Sequence, residues 1–213
     1  MMNRKMRSGG FTLPELLMVA GLLAVVSGAM FVTVLSGQSA FLSLDSSIQL
    51  QEEARKAFNS MTRELREAGG AIAVSSSPSQ QLDFQLALGY NLTSVAGCPA
   101  DAVCWGAWDA DGNPQYNWTV RYALKTTGSN TQLVRRLFNA NPVSGSATPV
   151  SERILANQVD NATSPVVYTS FAWDQTNSVI TINLQTKIDQ SALLPGGIRS
   201  SGRLTTQIKL RNS

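Results

Sequence analysis

From Leu16 to Leu44 the chain carries no charged side chain. This 29-residue run exceeds the ~20 residues a helix needs to cross the hydrocarbon core of a bilayer. Residues 1–10, MMNRKMRSGG, hold Arg4, Lys5 and Arg7 and no acid. Three positive charges ahead of the run and none close behind it predict an N-terminus on the cytoplasmic side and the rest of the chain outside. One carboxylate, Glu15, stands at the start of this segment, inside GGFTLPELL (9–17). An unpaired acid in hydrocarbon is expensive, so it needs an explanation.

Charge elsewhere is balanced. The chain of 213 residues has 17 Lys and Arg against 14 Asp and Glu. Without the three bases of the first ten residues, 14 of each sign remain. Electrostatic binding to nucleic acid is therefore not indicated. There is no histidine, which excludes Ser-His-Asp and Cys-His catalysis and every His-ligated metal site. The two cysteines, Cys98 and Cys104, enclose the five residues between them in CPADAVC. They could supply only two of four zinc ligands. In an exported domain a local disulfide is the natural expectation, with two unpaired buried thiols as the alternative.

Three kinds of segment could begin in this way. A secretory signal peptide would find small residues for cleavage at Ser27 and Ala29 of VSGAM. A plain membrane anchor would simply remain in place. Neither has a use for Glu15, or for Gly9-Gly10 beside Phe11. GGFTLPELL closely resembles the type III signal of type IV prepilins and pseudopilins. That resemblance implies cleavage by a prepilin peptidase after Gly10, on the cytoplasmic side, and N-methylation of the new first residue, Phe11. It puts Glu15 at the fifth mature position, where the family carries glutamate. It also implies that this carboxylate pairs, during subunit assembly, with the N-terminal amine of a neighbouring subunit. A charge in low dielectric needs such a partner. Pro14 departs from the family pattern, in which Ile or Leu is commoner. Proline is tolerated in a first turn, so its position predicts a helix beginning at Phe11. Gly21, Gly28 and Gly37 lower helix propensity farther along, as ordinary membrane-helix glycines or as points of close helix packing or local unwinding.

Beyond Asp45 the pattern turns polar but keeps a helical period. Ala54, Phe58, Met61, Leu65 and Ala68 step by four and three, which predicts an apolar stripe laid on a sheet. Glu53 with Lys56, and Arg63 with Glu67, are spaced for pairing. Gly69-Gly70 is the expected stop. One helix from Phe11 to Ala68 would measure roughly 85 Å.

After SSSPSQQ the period shortens. Strands are expected at 82–88, 102–108, 116–124, 131–138, 153–159, 166–173, 178–187 and 202–211, β-branched and aromatic segments parted by Gly, Asn, Pro and Ser. Asp109, Asp111 and Asn113 match the first ligands of a calcium loop, but Pro114 and Val120 occupy its glycine and glutamate positions, so a strand turn is expected instead. Sequons occur at Asn91, Asn117 and Asn161. Arg135-Arg136 reads as a solvated strand face. The fold class expected is α+β: a long N-terminal helix, apolar and membrane-spanning in its first half, amphipathic and packed on a mostly antiparallel sheet in its second. The spans are a basic leader (1–10, removed), a transmembrane assembly helix (11–40), its amphipathic continuation (41–70) and a β-rich domain (71–213).

TVRYALKTTGSNTQLVRRLF reads as a hairpin. With RILANQV, YTSFAW, VITINL and the terminal TTQIKLRN, it is similar to the PilW-like minor pilins, and to the related pseudopilin J of type II secretion. The resemblance implies a minor pilin of a type IV pilus, an inner-membrane precursor that passes to the fibre or its tip. The fibre would serve twitching motility, adhesion or DNA uptake. The implied partners are a prepilin peptidase, the major pilin and other minor pilins or pseudopilins, the inner membrane and the pilus assembly platform. The alternative is a minor pseudopilin of type II secretion; more remote is a secreted binding module with an ordinary signal. No paired acids, phosphate loop or nucleophile elbow points to an enzyme, and no cofactor or metal is expected.

Overall fold

The computed structural model describes residues 12–73, 79–128, 130–143, 147–161, 169–189 and 199–210. The chain divides into two compact units, one up to Asp45 and one from Ser46 onward. A single helix, α1 (Leu13–Arg66), contributes to both. Among the described residues ten strands follow: β1 (Ala68–Ala73), β2 (Gln81–Tyr90), β3 (Val103–Trp108), β4 (Pro114–Tyr116), β5 (Thr119–Thr127), β6 (Asn130–Phe138), β7 (Ser151–Ala156), β8 (Ser170–Asp174), β9 (Val179–Asp189) and β10 (Arg199–Lys209). The class is α+β, and the paired strands are antiparallel.

The helix ends two residues before the expected point. The Glu67 amide bonds the Glu64 carbonyl in a tightened last turn, and the Glu67 carbonyl is taken by the Ala87 amide of β2. Gly69-Gly70 is therefore not a loop stop but part of β1, a strand the periodicity did not reveal. The expected strand 116–124 is two strands. Asn117 takes a left-handed conformation (φ 61°) and parts β4 from β5. Gln158, also left-handed (φ 54°), lies just past β7, where the sequence suggested a strand running on to 159.

Among the described residues the strands form two sheets instead of one. The seven-stranded sheet runs β4-β3-β2-β5-β6-β7, with β1 added on β2; the second runs β10-β9-β8. β5 and β6 form the hairpin expected, in register from Thr119↔Phe138 to Thr127↔Asn130. Backbone stitches join the sheets: Ser79 and Phe171 exchange hydrogen bonds of 2.9 and 2.6 Å. The Val159 amide reaches Thr131 of β6, and the Asp160 amide reaches Gln185 of β9, each at 2.8 Å.

The core of the second unit gathers on the last part of α1. Ala54, Ala57, Met61 and Leu65 are buried in one cluster with Leu82, Phe84 and Tyr122 of the first sheet and Phe171, Ile180 and Ile182 of the second. Phe58, placed on the stripe by its spacing, is only partly buried. Tyr122 sits between two rings, 5.2 Å from Phe84 and 6.3 Å from Phe171 by centroids. Lys56 takes Glu52 as its partner rather than Glu53, on the exposed side of the helix.

Candidate functional site

The first candidate is the apolar stretch of α1. Thr12 stands just outside the helix, and its carbonyl accepts from the Glu15 amide (3.1 Å) and the Leu16 amide (3.2 Å). Thr12 is thus the N-cap and Pro14 lies in the first turn, where the amide it lacks has no intrahelical partner anyway. Glu15 is exposed in that first turn, near the positive end of the helix dipole. Farther on, Leu16, Leu22, Leu23, Met30, Phe31 and Leu42 are all exposed. The helix is long and apolar enough to cross a membrane. Thr33 Oγ1 donates to the Ala29 carbonyl at 2.9 Å, which satisfies a polar group that such an environment would leave without water. The helix runs unbroken through Gly21, Gly28 and Gly37, and a Cβ added at any of them meets nothing within 4 Å. Nothing in the described chain requires those glycines. Gly10 and Phe11, the expected cleavage and methylation positions, lie outside the described residues.

The second candidate is the loop between β2 and β3. Cys98 and Cys104 form a disulfide, with Cα atoms 5.2 Å apart. Cys104 is buried on β3; Cys98 is half-buried in the loop. The base of the loop is closed by the Asn91 amide on the Ala102 carbonyl (2.9 Å) and the Tyr90 hydroxyl on the Asp101 carbonyl (3.0 Å). Gly97 is left-handed (φ 88°), and a Cβ there would sit 2.8 Å from the Tyr116 ring. The turn between β3 and β4 is organised by Asp109. Its carboxylate accepts from the amides of Asp111 (3.0 Å) and Asn113 (2.8 Å) and from the side chains of Asn113 (3.4 Å) and Gln115 (2.9 Å). The Asn113 amide above all holds the acid ionised below its usual range. The aspartate that resembled a calcium ligand is occupied by amides as a turn cap.

The sequence did not reveal the ion pairs beneath the sheet. Arg135 does not lie on a solvated face. Its Nε donates to both Glu64 carboxylate oxygens of α1 at 3.0 Å, and Glu64 also accepts from the Tyr122 hydroxyl at 2.6 Å. Burial first, and the Glu64 charge next, push the Tyr122 hydroxyl well above its ordinary range, so it acts as a fixed donor. On β2 and β5, directly opposed, Asp83 and Arg121 pair through two bonds of 2.6 and 2.7 Å, with the guanidinium 4.8 Å over the Phe138 ring. Arg136 and Lys125 share Glu152. One signal was present. In LVRRLF a period of two puts Arg135 on the same face as Leu133 and Leu137, which are buried. The Glu64–Arg135 pair ties the helix to the sheet, while the Asp83–Arg121 and Glu152 pairs tie neighbouring strands to each other.

No protein-family model, curated protein or solved structure matches the chain.

Proposed function

We propose that the chain is a minor pilin of a type IV pilus, cut between Gly10 and Phe11, N-methylated at Phe11, and assembled into a fibre through the apolar part of α1. One observation carries this reading: a single 54-residue helix buries its last turns in a β-sheet domain but leaves the side chains of a membrane-length apolar stretch exposed. A secretory signal would be severed from the domain, whereas here the same helix supplies its core. Glu15 adds support. A carboxylate at a helix N-terminus gains about 0.3–1 kcal/mol from the dipole. Placing it within a bilayer costs about 2.5–3.5 kcal/mol or more, so the dipole alone does not hold it there. The amine of a neighbouring chain cut at Phe11 supplies the missing charge.

Two measurements test the proposal. The intact mass of the mature chain, from cells with and without prepilin peptidase, should correspond to a methylated chain starting at Phe11, and to the uncut precursor without the enzyme. Cleavage after Ala29 would replace the proposal with a secreted module. Surface pili, counted in a strain lacking the gene, should vanish and return on complementation. Normal pili with lost protein export would assign the chain to type II secretion instead.

A further inference from the structure

A cleft of about 460 Å³ opens at the edge of the seven-stranded sheet. One wall is the disulfide loop at Ser94, Val95 and Ala96; the other is the end of the Asp109 turn and β4, from Asn113 to Tyr116. Three features suit it to a ligand. Tyr116 and Trp108 remain 40% and 38% exposed, the most exposed aromatics of this hairpin. Tyr116 opposes Gly106, and Pro114 opposes Trp108, so the two residues share one face of β3 and β4 as diagonal neighbours; Tyr116 lines the cleft, and Trp108 stands beside it, outside the lining. Asp109 receives the amide nitrogens of both Asn113 and Gln115, which orients two of the side chains that line the cleft. The walls are built rather than loose. The disulfide closes one, and the other is packed on β3 so closely that a Cβ on Gly106 would lie 2.0 Å from the Gln115 carbonyl.

The chemistry narrows the ligand. Flat rings beside oriented amide and hydroxyl groups match a molecule with apolar C–H faces and many hydroxyl donors. From residue 84 to residue 120 there is no Lys or Arg, while Asp101, Asp109 and Asp111 are present. Their field disfavours nucleic acid, phosphate and acidic sugars. Strand addition by another protein is poorly served, because β4 is three residues long and begins with Pro114, which has no amide to donate. We propose that this cleft binds an uncharged saccharide chain. Trp108 and Tyr116 stack on its sugar rings, Ser94, Asn113 and Gln115 bond its hydroxyls, and Asp109 is a positioning residue. The assignment goes beyond fibre assembly and does not depend on it.

The test uses the purified full chain in a zwitterionic detergent free of sugar. Maltohexaose and chitohexaose serve as neutral probes and oligogalacturonate as the acidic one, followed by tryptophan fluorescence and calorimetry. Saturable binding of a neutral probe is expected, with Kd on the order of 0.1–1 mM. Trp108→Ala and Gln115→Ala should each weaken it by about tenfold, equivalent to ~1.4 kcal/mol. Ile154→Ala, at an exposed position on the opposite edge strand β7, should bind as the unaltered chain does. Affinity should fall as pH drops through the range in which Asp109 gains its proton, and Asp109→Asn should abolish that dependence while the disulfide and far-UV spectrum persist. Failure to bind either neutral probe, a preference for oligogalacturonate, or binding undiminished in both Trp108→Ala and Gln115→Ala would each overturn the assignment.

Discussion

The two stretches of α1 obey the same helical physics and meet opposite fates. Around Met61 the apolar residues are buried inside the domain. Around Leu23 they are at least as apolar and are exposed. Sequence hydrophobicity alone therefore does not distinguish a core helix from one awaiting a solvent of lipid or neighbouring chains. What distinguishes them is the company of charge. The buried stretch interleaves Glu64 and Lys56 with its stripe, and one of these, Glu64, is taken up by Arg135 and Tyr122. The exposed stretch has no charge with which to meet water.

The comparison can be broken hardest at the buried ion pairs. Arg121→Ala leaves Asp83 without its counter-charge, and should cost about 3–5 kcal/mol in urea denaturation of the detergent-solubilised chain. The double change to an apolar pair should recover much of that loss. Next is a matched pair of truncations in α1. Met61→Ala should cost about 2–4 kcal/mol through the cavity it leaves. Leu23→Ala should change the urea midpoint by less than about 0.5 kcal/mol, because Leu23 has no cavity to leave within this chain. Equal effects at both positions would mean that the two stretches are not distinct in their packing.

Redox and pH sharpen the comparison within the domain. Cys98→Ser should cost about 2 kcal/mol, the loop-closure entropy of a short loop, and reducing agent should act on the unaltered chain to the same extent. Tyr122 gives an alkaline signature. Burial and the charge of Glu64 raise its folded-state value above the ordinary 10.0, so the folded chain retains a proton that the unfolded chain releases. Stability from this group is whole below about pH 10 and is lost as pH rises beyond it, by up to about 1.4 kcal/mol per unit. In Tyr122→Phe that alkaline loss should disappear, at lower stability throughout, because Glu64 loses a donor. Urea midpoints of both chains across this range provide the check.

How much of this was legible depends on range. The helix and most strands rest on local periodicity, so α1 and the β5–β6 hairpin were readable in their residues. The disulfide was readable because its two cysteines are six positions apart. β1 was not, because Gly69-Gly70 signals a break, and only the partnership with Asp83–Leu86 of β2 makes that segment a strand. The parting of β4 from β5 and the end of β7 were hidden as well, since Asn117 and Gln158 are left-handed through tertiary context. The Asp83–Arg121 and Glu64–Arg135 pairs join residues 38 and 71 positions apart, a distance over which no spacing rule operates. Of the candidate site, the aspartate turn was visible, but its meeting with the loop at Ser94 is a product of folding.

The smallest effect on stability is expected at Gly28, and it separates the chain's own needs from those of an assembly. In a helix interior glycine costs about 1 kcal/mol relative to alanine. A side chain at Gly28 would meet nothing within 4 Å, so no contact in this chain compensates that cost. Gly28→Ala should leave the domain's urea midpoint unchanged to within about 0.5 kcal/mol and slightly raise helicity in detergent. If neighbouring helices approach the backbone there, the same methyl group separates them, and a strain complemented with this variant should bear fewer pili. A normal pilus count would make Gly28 an ordinary membrane-helix residue.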